Sequence, residues 1–272
     1  MRNEKREGRA SGPMEVAMRA NMVNWKEQMK ERPLFGCFVT YGLPDLAEYT
    51  ASLGFDFILI DNEHGVMEQS TLCDMVRASQ CEGVPAVVRC TMNEYDHVQK
   101  ALDFGANGVQ VPLVNTVEDA KKIVSLTHYA PLGKRGTAYL PRAAGYGLVE
   151  DKCAYREEAN RVKLVSVHIE TVEAVENLDE ILKVDGIDVY FVGPGDLSSS
   201  MNLPSDDPKV QETVKTCIQK IAAAGKIPGY YVGSAVAAKQ AVEWGARYLV
   251  TAITPYMTAG AVQYLSDVKG FM

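Results

Sequence analysis

Two acidic residues follow short apolar segments and could together hold a divalent cation. Glu170 comes directly after Leu164–Ile169, and Asp196 follows the apolar segment 187–192 and a Gly-Pro-Gly turn. If these segments are neighbouring parallel strands, the two carboxylates lie close together and repel each other unless a proton or a cation separates them. Oxygen ligands favour Mg²⁺ or Mn²⁺. The alternative is that both acids only begin helices, where they complement the helix dipole.

Ionisable residues also follow two other predicted strands. Asp61 and His64 come after the apolar segment FILI. His64 is a candidate acid or base because imidazole titrates near neutral pH, and Asp61 could fix its tautomer; otherwise His64 is a solvated loop residue. Arg89 ends the next strand and offers a fork of donors for a carboxylate or an enolate oxygen. Its alternative role is a structural ion pair with Asp61 or Glu63.

Further polar groups lie near the two acids. His168 precedes Glu170 by two residues, so strand alternation places both on one face. His168 could be a third metal ligand, a substrate contact or a core histidine with satisfied hydrogen bonds. Gly193, Gly195 and Ser198 could bind a carboxylate through backbone N–H and hydroxyl groups, although Gly-rich turns are often only turns.

The elements that must position these residues are eight strand–helix alternations that begin at Leu34. This pattern predicts a parallel sheet, and at 272 residues it favours closure into a single-domain (β/α)8 TIM barrel, with the chemistry at the carboxyl ends of the strands. A doubly wound open sheet is disfavoured because no G-x-G-x-x-G motif follows the first strand. We assign residues 31–272 to the catalytic barrel. Residues 1–30 form an N-terminal extension, with a predicted amphipathic helix at 16–30 that covers the bottom of the barrel.

Two segments between strands are predicted to form a helix and a long loop, respectively. Apolar residues recur at helical spacing over 172–182, which predicts one continuous helix. Residues 128–160 contain PLGKRG and GYG, and are predicted to be a long irregular loop that is functional or mobile. Arg135, within that loop, could bind an anion or form a subunit contact.

The composition argues against nucleic-acid-binding, secreted and membrane-spanning proteins. The net charge of −7 argues against nucleic acid as a partner, and 47% hydrophobic residues suit a globular core. The six cysteines form no C-x-x-C pair, which predicts reduced thiols in a cytoplasmic protein. The charged N-terminus lacks the apolar region of a signal peptide, and no apolar run reaches the roughly 18 residues that span a membrane.

Several long segments carry a family resemblance. They are LGFDFILIDNEHG, PAVVRCTMN, ALDFGANGVQVPLVNTVEDA, YAPLGKRG, HIETVEAVENLDEILKVDGIDVYFVGPGDLSSSM and AAAGKIPG. In these segments and their order the chain resembles the HpcH/HpaI aldolases, metal-dependent pyruvate aldolases that include 4-hydroxy-2-oxoheptanedioate aldolase. The resemblance implies a β/α barrel, and a homo-oligomer, typically a hexamer, in which a C-terminal helix packs on a neighbouring subunit.

The resemblance also implies an activity and a set of roles. A class II aldolase of this kind cleaves a 4-hydroxy-2-oxo acid to pyruvate and an aldehyde. Glu170 and Asp196 would hold the divalent cation, Mg²⁺ or Mn²⁺ with Co²⁺ as a further candidate. Arg89 would stabilise the enolate oxygen of pyruvate, and His64, paired with Asp61, would handle the proton on the C4 hydroxyl.

Two residues depart from the family pattern. His168 stands where Gln is common, and Asn62 stands where Gly is usual; the first changes the polar group that faces the substrate.

Two other functions compete with the aldolase. One is an acyl-CoA thioester lyase like the citrate lyase β relatives, which needs a basic cleft near the barrel mouth; Lys134, Arg135 and Arg142 are the candidate cluster. The other is a non-catalytic descendant of the fold, which need not bind a metal.

Overall fold

The eight predicted strands form a closed barrel in the order β1 to β8, all parallel to their neighbours. The structure is a computed structural model that describes residues 25–91 and 95–270. The (β/α)8 TIM barrel is therefore confirmed, and the open doubly wound sheet is excluded. Within the described residues, no helix combines the length and apolar character needed to cross a bilayer.

The element bounds follow the predicted pattern closely. The strands are β1 (Leu34–Val39), β2 (Phe57–Asp61), β3 (Ala86–Arg89), β4 (Gly108–Val111), β5 (Leu164–Ile169), β6 (Val189–Val192), β7 (Ile227–Tyr231) and β8 (Tyr248–Ala252). The helices are α1 (Trp25–Glu31), α2 (Pro44–Ser52), α3 (Gln69–Cys81), α4 (Tyr95–Asp103), α5 (Val117–Thr127), α6 (Lys152–Val162), α7 (Val172–Glu176), α8 (Leu178–Ile181), α9 (Pro194–Ser200), α10 (Pro208–Ala223), α11 (Ala235–Trp244) and α12 (Ile253–Lys269).

Aromatic side chains close the bottom of the barrel, at the amino ends of the strands. The rings of Phe57 and Tyr248 stack with their centroids 4.4 Å apart. A Cβ on Gly36 would lie only 2.2 Å from the Phe57 ring, so a glycine is needed there. Helix α1 covers this end with the buried side chains of Trp25 and Met29. Helix α1 is the part of the predicted 16–30 helix that falls within the described residues; residues 16–24 lie outside them.

The prediction of an irregular loop over 128–160 is wrong for its second half. That half contains a 3₁₀ turn at Arg142–Gly147 and the first residues of α6. Asp151 caps α6 by accepting the backbone N–H groups of Cys153 at 2.9 Å and Ala154 at 3.0 Å. The α6 periodicity was missed because its buried face is narrow, consisting of Tyr155, Ala159 and Val162 among charged neighbours.

Two smaller differences occur around β6. The helix predicted at 172–182 is divided at Asn177, whose side-chain amide donates to the Asn115 carbonyl at 2.8 Å. The Gly-Pro-Gly sequence was expected to be a simple turn, but it opens α9, with Pro194 in the first helical turn. A proline is well accommodated there because the first N–H groups of a helix have no partner within it.

The C-terminal helix α12 packs only weakly on the rest of the barrel. Only Ile253 of its residues is buried, and it presents exposed apolar side chains that include Tyr264 and Leu265. Next to it, the outer face of β1 and β8 is open, and a groove of about 810 Å³ runs between α12, α11 and the loop after α2. Apolar groups line much of this groove, among them Phe35, Leu53, Phe55, Val232, Val242 and Leu249.

Candidate active site

The carboxyl ends of β2 and β3 carry a clamped arginine. Asp61 and Arg89 are direct neighbours in the β2–β3 register. The Arg89 Nε and Nη2 atoms donate to the two Asp61 oxygens at 2.9 and 2.8 Å. The Nη1 atom lies 3.2 Å from Glu63 Oε2. The ion-pair alternative is thus formed with both acids, and Arg89 keeps two further N–H donors for a ligand.

The contacts of Arg89 affect the pKa values of Asp61 and Glu63. Burial alone would raise the pKa of Asp61, but the Arg89 guanidinium and the backbone N–H groups of His64 and Glu63 outweigh it and hold that pKa below its usual value. Burial raises the pKa of Glu63, and Arg89 only partly opposes this. Asp61 is therefore a fixed negative charge, whereas Glu63 is the more readily protonated partner.

His64 lies open at the barrel mouth. Its ring is 64% exposed, and its Nε2 atom is 3.8 Å from Glu63 Oε2. The sequence predicts that Asp61 orients this ring, but Asp61 accepts the His64 backbone N–H at 3.2 Å instead, and its other partners are Arg89, the Glu63 N–H and the Thr40 hydroxyl. The acid beside the ring is Glu63. Gly65 permits the tight turn here, since a Cβ on it would lie 2.0 Å from the Asp61 carbonyl oxygen.

Glu170 is a buried carboxylate held from two sides. Its Oε1 accepts the backbone N–H of Leu113 at 2.9 Å, and its Oε2 lies 2.5 Å from Nδ1 of His168. Burial would raise the pKa of Glu170, but His168, the Leu113 N–H and Arg89 together hold it below its usual value. Glu170 is therefore ionised although only 3% of its surface is exposed.

The start of α9 packs directly against Glu170. A Cβ on Gly193 would lie 2.9 Å from Glu170 Oε2, so this glycine gives the carboxylate its space. Asp196 is exposed in the first turn of α9. The register of β5 and β6, which pairs Ile169 with Val192, thus brings the two predicted metal-binding acids to one edge.

Two of the N–H and hydroxyl groups predicted to bind a carboxylate have partners within the protein. The Gly193 N–H donates to the Ile169 carbonyl at 3.2 Å. The Ser198 hydroxyl donates to the Gly195 carbonyl at 2.7 Å. The structure thus gives Gly193 a steric role beside Glu170, and direct substrate contacts by Gly195 and Ser198 stay predictions.

His168 lies inside the barrel, where both of its ring nitrogens have protein partners. Besides Glu170 at Nδ1, its Nε2 is 2.7 Å from the Gln110 side-chain amide. The ring also stacks on Phe191, with centroids 4.9 Å apart. Of the three alternatives, a histidine with satisfied hydrogen bonds therefore fits this geometry, and neither nitrogen is free to bind a metal.

Sequence reasoning missed Gln110 and Ser166, and it named Glu63 only as an ion-pair partner. Gln110 and Ser166 face each other in the β4–β5 register, and both are fully buried. Each is a single polar residue in an otherwise apolar strand, GVQV and LVSVHI. That isolated polarity was the signal available, because a buried polar side chain needs a partner.

The donor set fits a hard divalent cation. Glu170 offers a buried, ionised carboxylate, Asp196 offers a second from the adjacent element, and the absence of a side chain on Gly193 leaves room beside the first. Across the described ranges, no three His, Cys, Asp or Glu side chains form a ready-made cation site. An ion held here would therefore take its remaining oxygen ligands from water or substrate.

The basic cluster considered for an acyl-CoA lies elsewhere. Arg135 is almost completely buried, pairs with Asp103 at 2.8 Å and covers the Tyr129 ring at 4.6 Å. Arg142 approaches the Phe104 carbonyl at 3.4 Å. Both contacts lie at the end of α4, which is the bottom of the barrel. Arg135 and Arg142 therefore do not build the basic cleft expected near the mouth, and the anion-binding role suggested for Arg135 is wrong.

Comparisons with known proteins agree with the geometry. The model of a family described as HpcH/HpaI aldolase/citrate lyase matches residues 34–254. A 2-keto-3-deoxy-L-rhamnonate aldolase from Salmonella typhi is 34% identical over 233 residues, which cover 84% of this chain and 86% of the relative. One from Klebsiella pneumoniae subsp. pneumoniae is 37% identical over 211 residues, covering 76% and 78%. A solved HpcH/HpaI aldolase/citrate lyase family protein from Burkholderia cenocepacia J2315 superposes with a TM-score of 0.85 at 30% identity, covering 91% of this chain and 99% of its own.

Proposed function

The chain belongs to the HpcH/HpaI aldolase/citrate lyase family, and from this premise we propose that it is a metal-dependent aldolase. Its substrate would be a 4-hydroxy-2-oxo acid, cleaved to pyruvate and an aldehyde. The observation that carries the proposal is the buried, ionised Glu170, which lies at the barrel mouth against the helix that carries Asp196. The substrate named for the Salmonella relative, a 2-keto-3-deoxy acid with a hydroxyl at C4, has the required chemical grouping.

In this proposal Glu170 and Asp196 hold the cation, with Mg²⁺, Mn²⁺ and Co²⁺ as candidates. A cation held by these residues would supply Lewis-acid polarisation of the substrate's 2-oxo group. Glu170 contributes a full negative charge because its pKa is held low despite its burial. Gly193 keeps the face of this carboxylate clear.

Arg89 and His64 would carry the remaining steps. The two unused N–H donors of Arg89 stabilise the oxygen that becomes the enolate, and its clamp to Asp61 and Glu63 fixes them before the reaction begins. His64, exposed at the mouth beside Glu63, takes the proton of the C4 hydroxyl. The C3–C4 bond then breaks, its electron pair forms the enolate, the aldehyde leaves, and protonation at C3 gives pyruvate.

The proposal includes a homo-oligomer, a hexamer by resemblance. The exposed apolar side chains of α12 and the open groove beside β1 and β8 are complementary in character, so α12 of one copy would cover the groove of a neighbour. Light scattering would then give a hexamer for the full chain, and a smaller assembly for the variant Tyr264→Asp with Leu265→Asp. A monomeric mass for the unaltered chain would overturn this part of the proposal.

The proposed partners are otherwise small molecules, a 2-oxo acid and an aldehyde, in the cytoplasm. All six cysteines are free thiols, which is typical of a reducing compartment. The net charge of −7 gives no electrostatic attraction to nucleic acid.

The test is proton exchange at the methyl group of pyruvate in D₂O, followed by NMR with and without Mn²⁺ or Mg²⁺. We expect metal-dependent exchange that Asp196→Asn abolishes without loss of folding, because Asp196 is exposed. Asp206→Asn is the matched control, since it neutralises an exposed acid ten residues further along. Absence of exchange with any of the candidate metals would overturn the aldolase, and acyl-CoA thioesters would be tested next.

A further inference from the structure

Four buried polar side chains, on β4, on β5 and directly after β5, are hydrogen-bonded in series inside the barrel, and the series ends at Glu170. The Ser166 hydroxyl donates to Gln110 Oε1 at 3.3 Å, and Gln110 Nε2 lies 2.7 Å from His168 Nε2. The opposite ring nitrogen, Nδ1, contacts Glu170 Oε2. None of the four residues is more than 3% exposed. Water therefore does not compete for these contacts, and each group must find its partner within the chain.

The contacts are consistent with one direction of proton donation. A carboxylate that binds a cation is ionised and only accepts hydrogen bonds, so His168 Nδ1 must donate to Glu170. In a neutral ring, Nε2 is then an acceptor and requires a donor, which the Gln110 amide nitrogen supplies. Ser166 occupies the oxygen of the same amide and so favours this orientation over the flipped one.

We propose that Gln110 is a positioning residue, which fixes the Nδ1–H tautomer of His168 and thereby orients the Glu170 carboxylate toward the cation. Gln110 does not touch the reacting atoms. With the amide flipped, its oxygen would select the Nε2–H tautomer, and the Nδ1 lone pair would then face the carboxylate and repel it. The inference rests on the proposed function in one respect, which is that Glu170 is a metal ligand.

The surroundings leave the carboxylate little freedom once Nδ1 donates. The Leu113 N–H holds its other oxygen at 2.9 Å, and the α9 start at Gly193 lies against its face. The His168 ring cannot readily tilt away, because it is stacked on Phe191 at 4.9 Å. Polar partners behind a metal ligand commonly set its orientation, and their loss typically lowers metal affinity about 10–100-fold.

The direct test is the tautomer of His168 in the metal-free protein. The chain has four histidines, so magic-angle-spinning NMR of protein labelled with ¹⁵N at histidine is tractable, and His168→Gln identifies the signals of that ring. We expect a protonated Nδ1 and an unprotonated Nε2. Gln110→Leu leaves Nε2 without its donor, so the ¹⁵N signal of Nε2 should move to that of an acceptor with no hydrogen bond. The milder Ser166→Ala frees the Gln110 amide to flip and should admit the Nε2–H tautomer in part. A predominant Nε2–H ring in the unaltered protein, or an unchanged ring in Gln110→Leu, overturns the proposal.

A control variant acts on another buried histidine. The Thr127 hydroxyl lies 2.9 Å from His128 Nδ1, and neither residue is hydrogen-bonded to the four side chains that end at Glu170. Thr127→Val should therefore alter the His128 signals and leave His168 unchanged. A change at His168 in this control would mean that its tautomer follows general loosening of the fold, which also overturns the proposal.

Calorimetric titration with Mn²⁺ separates this inference from the proposed function. Gln110→Leu should weaken Mn²⁺ binding about 10–100-fold, Ser166→Ala less, and Thr127→Val not at all. Mn²⁺ binding that is unchanged in Gln110→Leu sinks the positioning role while the aldolase stands. Absence of Mn²⁺ binding by the unaltered protein overturns the proposed function and the metal role of Gln110 together, whatever the tautomer.

Discussion

The two ends of the barrel interior are filled by different kinds of side chain. At the mouth, buried charges have matched partners: Asp61 faces Arg89 across β2 and β3, and Glu170 is held by the Leu113 N–H, in the loop after β4, and by His168 of β5. At the bottom, Phe57, Tyr248 and Trp25 fill the interior with apolar surface. The barrel interior thus bears the desolvation cost of ions at the mouth but not at the bottom, where aromatic and aliphatic side chains fill it. Alterations at the mouth should therefore change activity and stability together, whereas alterations at the bottom should change stability alone.

The largest expected effect comes from removing the positive charge of Arg89 at the barrel mouth. Arg89→Met leaves Asp61 and Glu63 without their partner, which should lower the free energy of unfolding by about 3–5 kcal/mol. At the bottom, Lys26→Met breaks a more accessible pair with Asp188 and should cost about 1 kcal/mol or less. Urea unfolding followed by circular dichroism measures both. Equal losses in the two variants would contradict the distinction between the ends.

An apolar deletion at the bottom should separate stability from activity. Trp25→Ala removes a buried ring that lies 5.8 Å from the Phe57 ring, centroid to centroid, and should cost about 3 kcal/mol of unfolding free energy. The rate of pyruvate methyl exchange per folded molecule should stay unchanged, because Glu170 and Arg89 lie at the opposite end. A parallel loss of exchange in fully folded protein would show that the two ends are coupled.

A smaller effect is expected from one methyl group at the mouth. Gly193→Ala places a Cβ 2.9 Å from Glu170 Oε2, so the carboxylate must shift, and Mn²⁺ affinity should fall about 10-fold. Gly195→Ala is the matched control, because a Cβ there meets no atom within 4 Å. Calorimetry of both variants would test this, and similar affinities in the two would remove the steric role of Gly193.

The last prediction concerns the pH dependence of stability and a lysine at the bottom of the barrel. Burial lowers the pKa of Lys163 to about 7, with help from Arg135, Arg142 and Lys26. The unfolded chain binds this proton at higher pH than the folded chain does. Stability is therefore lost as pH falls from about 10 to 7.

Lys163→Met should remove this loss, so its stability relative to the unaltered chain should increase as pH falls through that range. Urea unfolding at several pH values measures the trend. Lys100→Met, which replaces an exposed lysine of α4, is the control. A pH-independent difference for Lys163→Met would contradict the burial of a neutral amine.

The secondary-structure elements and most of the residues at their ends could be predicted from the sequence. Apolar segments separated by helical periods predicted all eight strands, because each strand of a parallel barrel is buried on both faces and reads as a short apolar run. The polar residues that follow those runs, such as Asp61, Arg89 and Glu170, were visible for the same reason. The weakly apolar α6 was missed because its charged residues mask a narrow buried face.

The pairing of those residues, by contrast, depends on the three-dimensional fold. Register turned Asp61 toward Arg89 and left the His64 ring beside Glu63, although Asp61 and His64 are close in sequence. The partnership of Gln110 with His168 joins strands 58 residues apart in the chain, and the open groove beside α12 depends on where that helix leaves the barrel. Local sequence sets backbone periodicity and burial, whereas side-chain partners depend on strand register and on the space between elements, which no short segment encodes.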